Sequence, residues 1–162
     1  MAKKIEKTNA ARLLDKAGIS YELIPYDFDE NDLAARHVAE SLGQDIARVF
    51  KTLVLRGDRT GYVVCVVPGD AEVSLKALAK GSGNKKVEMI AMKDLLGVTG
   101  YIRGGCSPVG MKKRFPTYFH STALDFDYIF VSAGVRGLQL KVSPQDLITY
   151  VSGEVGEVAE ML

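Results

Sequence analysis

Two apolar runs, Val49–Leu55 and Tyr62–Val67, stand either side of Arg56-Gly57-Asp58-Arg59-Thr60-Gly61. No other part of the chain constrains the fold as much. Runs of this length, rich in β-branched residues and joined by a glycine-bounded turn, form a hairpin of strands. Strand side chains alternate between faces, so Phe50, Thr52 and Val54 share one face and Lys51, Leu53 and Leu55 the other. Both sets are largely apolar, so both faces of the hairpin are expected to be covered. Lys51 is the exception on its face. An ammonium group among covered apolar residues needs a rim to snorkel to, or a partner inside a cleft.

The elements around this hairpin follow from capping and periodicity. Thr8 can cap a helix whose inner face is Ala10, Leu13, Leu14 and Ala17, with Gly18 as its stop. Ile19–Tyr26 reads as a strand. Asp27–Asp32 is an acidic loop in which Asn31 or Asp32 caps a second helix carrying Ala35, Val38, Ala39 and Leu42, ended by Gly43. Ser74 caps a short helix, Leu75–Lys80, and Gly81–Lys86 reads as a flexible basic loop. Met92–Leu96 is expected to be helical, broken by Gly97 and Gly100. Tyr101–Gly110 is loop-like with strand character at its start. Strands are expected at Thr117–His120, Tyr128–Val131 and Leu138–Val142. Ser143 then caps a last helix with Pro144 in its first turn, where a missing amide hydrogen costs nothing. Helices mixed with hairpins, rather than alternating strictly with strands, predict a mixed α+β fold. A single domain over residues 1–162 is expected, with one mixed, mostly antiparallel, barrel-like sheet surrounded by helices. Residues 1–7 are expected to be flexible.

A chain of 162 residues buries enough surface, roughly 70% of what it exposes unfolded, to need no disulfide or metal. Charged residues are 25% and the formal net charge is +1, so this is not a polybasic protein, although a local basic patch remains open. The two cysteines, Cys65 and Cys106, have no metal-ligand spacing and suggest a reduced, cytoplasmic setting. The N-terminal residues lack a signal-peptide pattern, and no apolar run is long enough for a membrane span.

Gly104-Gly105-Cys106-Ser107-Pro108 is the second feature with chemical potential. Two glycines let a ligand approach main-chain amides closely, and proline fixes the far end. Such a loop could direct amide hydrogens at a carbonyl or an anion, and an ordinary turn is the bland reading of the same residues. It is neither a dinucleotide fingerprint nor a P-loop. His37 reads as a solvated helix residue and His120 as structural. Cys106 lacks a histidine partner and reads as packing rather than as a nucleophile. The basic stretches Lys85-Lys86 and Lys112-Lys113-Arg114 are weak signals alone, but together they could hold a phosphate backbone.

Four stretches in this order carry a family pattern. They are Val49–Leu53, Lys85–Met89, Thr99–Gly110 and Val131–Leu138. With them the chain, from about Thr8 to Val151, resembles the YbaK group of the YbaK/prolyl-tRNA-synthetase-associated domain family, the trans-editing deacylases. The resemblance implies a mixed sheet folded around a pocket and hydrolysis of a mischarged aminoacyl-tRNA, most typically Cys-tRNA(Pro), without metal or cofactor. It implies the cysteine-bearing acceptor end of tRNA(Pro) as partner, with prolyl-tRNA synthetase helping to choose the tRNA. By the same resemblance Lys51 is the pocket lysine, assigned here as catalytic. Gly104, Gly105, Cys106, Ser107 and Pro108 form the substrate-positioning loop, and Tyr26 and Ser132 are pocket residues. Gln139 is assigned to the substrate site with them, standing where some relatives carry an acidic residue, and Leu33 and Ala34 stand where relatives place an aromatic one. In the family mechanism the substrate's own thiol attacks its ester. That fits a chain with no visible nucleophile, because an aminoacyl ester is already activated and needs mainly positioning. The alternatives at this stage are a non-catalytic aminoacyl-tRNA or nucleotide-binding module of the same fold, a regulatory partner of a synthetase with weak chemistry, and a deacylase for another small amino acid, such as one acting on Ala-tRNA(Pro).

Overall fold

The hairpin forms where its apolar pattern requires, and the rest of the chain is layered on its two faces. The protein is described here from a computed structural model covering residues 5–161. The expectation for the first four residues lies outside that range, and the exposed Lys7 Nζ lies 2.7 Å from the Asp15 carboxylate.

The chain runs α1 (Asn9–Lys16), β1 (Tyr21–Pro25), α2 (Ala35–Leu42), β2 (Phe50–Gly57) and β3 (Gly61–Pro68). Then come β4 (Ala71–Val73), α3 (Leu75–Ser82), β5 (Val87–Met89), α4 (Leu95–Thr99) and β6 (Thr117–His120). It ends with β7 (Ile129–Ser132), β8 (Leu138–Val142), α5 (Pro144–Val151), β9 (Glu154–Gly156) and β10 (Ala159–Met161). The caps at Thr8, Ser74 and Ser143 form as expected, each side-chain oxygen accepting a first-turn amide hydrogen.

The fold is mixed α and β as expected, but the strands of the described residues fall into three sheets rather than one. A five-stranded sheet has the order β5-β2-β3-β6-β9, a three-stranded one β1-β8-β7, and β10 pairs with β4. The first is mixed: β5, β2 and β3 are antiparallel, while β3–β6 and β6–β9 are parallel. A parallel bridge, Val49 to Phe130, links it to the antiparallel β1-β8-β7 sheet, and among the described residues the sheets do not close into a barrel.

Alternation along the hairpin divides the core. Phe50, Val54, Val64 and Val66 pack with Phe119, Ile129, Val131, Leu140 and Leu147 on one side. Leu55, Val63, Cys65 and Val67 pack with Leu78, Val87 and Val158 on the other. Each such buried side chain contributes roughly 1.5–3 kcal/mol, which makes the hairpin the rigid spine on which a site can be built.

Local departures from expectation have local causes. Ala34, not Asn31 or Asp32, precedes α2, and no side chain caps it. Asp29 and Asp32 bridge to each other within the acidic loop instead. Ala17 is solvent-facing, and Ala11 takes its place on the buried face of α1. Gly97 lies inside α4 rather than ending it, and Gly100 supplies the left-handed stop. No strand begins at Tyr101. The basic segment after α3 is tied down rather than loose. The buried Asn84 side chain accepts from the Arg59 and Thr60 amides, and the Asp58 carboxylate accepts from the Lys85 and Lys86 amides.

Candidate active site

β5 reaches only Leu55–Gly57 of β2, so the preceding part of β2 is a sheet edge. The Gly69 amide donates to the Val49 carbonyl at 2.8 Å, and the Ile90 amide to the Val54 carbonyl at 3.3 Å. Odd-numbered residues of this stretch therefore turn their peptide groups toward β3, and even-numbered ones toward the opposite edge. Thr52 presents its main chain at that edge. A cleft of about 570 Å³ opens there, walled by residues of β2, the entry to α2, the segment Met89–Leu95, the loop at Arg103–Cys106, and β7 and β8.

Lys51 lies on this cleft, half-buried. Its Nζ donates to the Gly69 carbonyl oxygen at 3.2 Å. Burial pushes its pKa below the ordinary lysine value, and the charges of Glu72 and Asp70 oppose that shift. Neither carboxylate forms an ion pair with it among the described residues. Gly69 makes the arrangement possible, because a Cβ there would collide with the Ala35 Cβ and crowd the Val49 carbonyl. The turn after β3 can thus press against the start of α2 and offer its carbonyl to Lys51.

The glycine loop forms another wall. Gly104 and Cys106 line the cleft, whereas Gly105, Ser107 and Pro108 do not. Ser107 is fully buried and its hydroxyl oxygen accepts from the Val109 amide at 3.2 Å. Pro108 faces a separate, smaller pocket beside Lys113 and Arg114. The loop is pinned at both ends. The Tyr101 hydroxyl donates to the Val109 carbonyl at 2.6 Å, and the Thr99 hydroxyl oxygen accepts from the Tyr101 amide at 3.0 Å.

Burial pushes the Cys106 thiol up to about 12, with a contact to Thr99 opposing weakly. A thiol protonated at neutral pH is a poor nucleophile. Cys106→Ala should accordingly leave turnover within about threefold of wild type in a deacylation assay, since no attacking thiolate is removed. Loss of all turnover in that variant would make Cys106 the nucleophile.

Ser132 and Gln139 face each other across the β7–β8 ladder, and both line the cleft. The Ser132 hydroxyl oxygen accepts from the Gly134 amide at 3.1 Å. Gln139 is 5% exposed, and its Oε1 has no hydrogen-bond partner among the described residues. Thr52 Oγ1, on the same cleft, is likewise buried and unpartnered among the described residues. Unpaired buried acceptors are costly in a native fold, and a pair of them in one cleft is what a donor-bearing ligand would satisfy. Tyr26 does not line the cleft. It packs on the Val38, Ala39, Val49 and Phe130 cluster behind it. Leu33 and Ala34 do line it, so both departures from the family pattern fall on its wall.

His37 sits beside Asp32 on the outside of α2. His120 is buried, and its Nδ1 accepts from the Ala159 amide at 3.2 Å, which ties β10 down. Neither lines the cleft, nor do the basic stretches; Lys86 is paired with Glu88 at 2.7 Å. Arg103 is the cation that joins Lys51 on the lining. It was not singled out from sequence, and neither was Thr52.

Comparison with known proteins places the chain in a family. Residues 30–150 match the model of the family described as "Aminoacyl-tRNA editing domain". An Enterococcus faecalis protein named "Putative Cys-tRNA(Pro)/Cys-tRNA(Cys) deacylase EbsC" is 50% identical over 160 residues, 98% of each chain. A proline–tRNA ligase from Thermosipho melanesiensis is 32% identical over 98 residues, 56% of this chain and 17% of the ligase. Among solved structures, that of "a putative trans-editing enzyme for prolyl tRNA synthetase" superposes with a TM-score of 0.82 over 96% of this chain and 99% of that one. At 19% identity that likeness speaks for the fold alone.

Proposed function

The chain belongs to the aminoacyl-tRNA editing domain family, and we propose that it acts as a single-domain, cytoplasmic deacylase that hydrolyses mischarged Cys-tRNA(Pro). Lys51 is the observation that carries the reading. A half-buried ammonium on a cleft wall, without an ion-pair partner among the described residues, is held ready for a ligand that brings negative charge. The 3′ end of a tRNA brings phosphates, and its aminoacyl ester develops an oxyanion during cleavage. A donor pair for the unpartnered Thr52 and Gln139 oxygens is also available on an aminoacyl-adenosine, which carries an ammonium and a ribose hydroxyl.

The chemistry needs no protein nucleophile. The substrate's cysteine sulfur attacks its own ester carbonyl, whose electron pair moves onto oxygen. As the oxyanion collapses, the bond to the ribose oxygen breaks, and that oxygen takes the proton the thiol gave up. The cyclic thioester is then opened by water to give free cysteine. Its ring has four members and is strained, so the enzyme's share is to fold the side chain back over the carbonyl and to stabilise the oxyanion. Lys51 and the loop amides are the groups placed for that. Selection of tRNA(Pro) is left to prolyl-tRNA synthetase, because a chain of net charge +1 with only Lys51 and Arg103 as cations on the lining among the described residues has little grip of its own.

Single-turnover assays on Cys-tRNA(Pro) and Ser-tRNA(Pro) test the reading. The seryl ester is nearly the same size but carries a much weaker nucleophile, so it should react at least about 100-fold more slowly. Equal rates would replace thiol attack by water attack. No release of cysteine at all would leave a binding module.

A further inference from the structure

The loop at Arg103–Cys106 is built against the turn between β7 and β8. The Arg136 side chain reaches from that turn, and its Nε–H donates to the Arg103 carbonyl at 2.9 Å. It then passes alongside Gly104, where an added Cβ would stand 3.4 Å from Nε. No peptide bond among the described residues is cis. In a trans peptide the carbonyl and the following amide hydrogen point in opposite directions. Holding the Arg103 carbonyl toward Arg136 therefore turns the Gly104 N–H away from the turn, on a residue that lines the cleft.

The neighbouring amides differ in a telling way. The Gly105 amide donates to the Ile102 carbonyl at 2.9 Å and is spent within the loop. The Gly104 amide has no acceptor among the described residues.

From these contacts we infer that Arg136 is a positioning residue. By fixing the Arg103–Gly104 peptide plane, it presents the Gly104 amide hydrogen to the carbonyl oxygen of the bound ester. The inference rests on the deacylase reading for its substrate, but the peptide geometry it describes stands apart from that reading. The role belongs to Nε–H and not to the positive charge, which distinguishes it from a phosphate contact.

Two substitutions separate the two roles. In Arg136→Gln the side-chain amide nitrogen falls where Nε was, so the donor survives and the charge is lost. Arg136→Met keeps the length and loses both. Single-turnover kinetics on Cys-tRNA(Pro) should show kcat falling about tenfold in Arg136→Met with KM little changed, because one donor is misaimed rather than removed. Arg136→Gln should return to within about threefold of wild type. A similar loss in both variants, seen mainly in KM, would overturn the inference in favour of a charge contact with the tRNA backbone. The Gly104 amide resonance, followed by 15N–1H NMR in the free protein, gives a readout independent of turnover. It should shift in Arg136→Met and return in Arg136→Gln. If wild type proves inert toward Cys-tRNA(Pro), the deacylase reading is lost, and the resonance alone decides. An unmoved Gly104 signal in Arg136→Met overturns the positioning role.

Discussion

Lys51→Met is expected to lower kcat/KM for Cys-tRNA(Pro) by about 1,000-fold or more, the scale of losing a principal charge-stabilising group, while the thermal midpoint stays level or rises. The two halves of that result come from one structural fact. In the free protein the Lys51 ammonium is half-buried, holds a single 3.2 Å bond to the Gly69 carbonyl, and has no carboxylate in ion-pair contact among the described residues. Its desolvation is a standing cost to the fold, which methionine of similar length removes. A residue that costs stability and lines a cleft is a candidate for work there, which this pair of readouts tests. Activity within a few-fold of wild type would remove Lys51 from the site. A collapse of stability together with activity would assign it a structural role.

The depressed pKa adds a dependence on pH, with a definite sign. Below its lowered value Lys51 is charged in both folded and unfolded chains, and the desolvation cost is constant. Between that value and the ordinary 10.5 the unfolded chain binds more protons, so stability rises with pH across this window and the cost is gone above it. Activity runs the other way if the ammonium is the working form. The rate should rise on the acid side as the substrate thiol ionises. On the alkaline side it should fall at a pH below that of an ordinary lysine. Lys51→Arg, which never deprotonates in this range, should lose the alkaline limb from whatever activity it keeps.

The sequence pointed to Lys51, Gly104 and Cys106, which line the cleft, and left most of its remaining wall obscure, for physical reasons that particular residues show. Lys51 stood out because a charge in a strand with two apolar faces needs either a rim to snorkel to or a partner in a cleft. The Gly104–Pro108 loop stood out because its composition fits a backbone-mediated contact. Strand alternation, however, put Thr52 on the face opposite Lys51, yet both line the cleft. The reason is that β2 is an edge strand at that point, so a ligand can approach from the side and touch side chains of both faces along with the main chain. Where β2 loses its neighbour depends on the length of β5 and on the bridge from Val49 to Phe130, neither of which has a local signal. The division into three sheets was hidden in the same way. The parallel pairings of β3 with β6 and β6 with β9 join segments far apart in sequence, and their short strands carry little pattern. Ser107 and Pro108 show the opposite error. They share a motif with Gly104 and Cys106, but one is spent bonding its own loop and the other packs on the far side.

The two glycines of that loop give the other large effect, and the structure assigns each a different reason. Gly104 has φ +84°, a conformation in which a Cβ costs roughly 1–2 kcal/mol. A Cβ there would also stand 3.2 Å from the Leu33 side chain, on the cleft wall. Gly105 is not in that backbone region. Its Cβ would instead stand 3.3 Å from main-chain atoms of Val135 and 3.4 Å from the Arg136 nitrogen. Main chain in a tight turn cannot swing aside as a flexible side chain can, so in Gly105→Ala the loop itself must move. That movement would also disturb the Arg136 bond and the amide beside it. Gly105→Ala should therefore lower kcat by roughly 100-fold, the cost of misplacing a reacting group by a fraction of an ångström to an ångström. Cys106→Ala, one residue on, should be nearly silent. Gly104→Ala should lose both activity and a few degrees of thermal midpoint, since its strain is present with or without substrate. Kinetics and melting curves for the three variants, measured side by side, decide the matter. If Gly105→Ala were fully active, the contact with the β7–β8 turn would have no part in holding the loop, and the amide geometry would have to be maintained from the Tyr101 and Thr99 end alone.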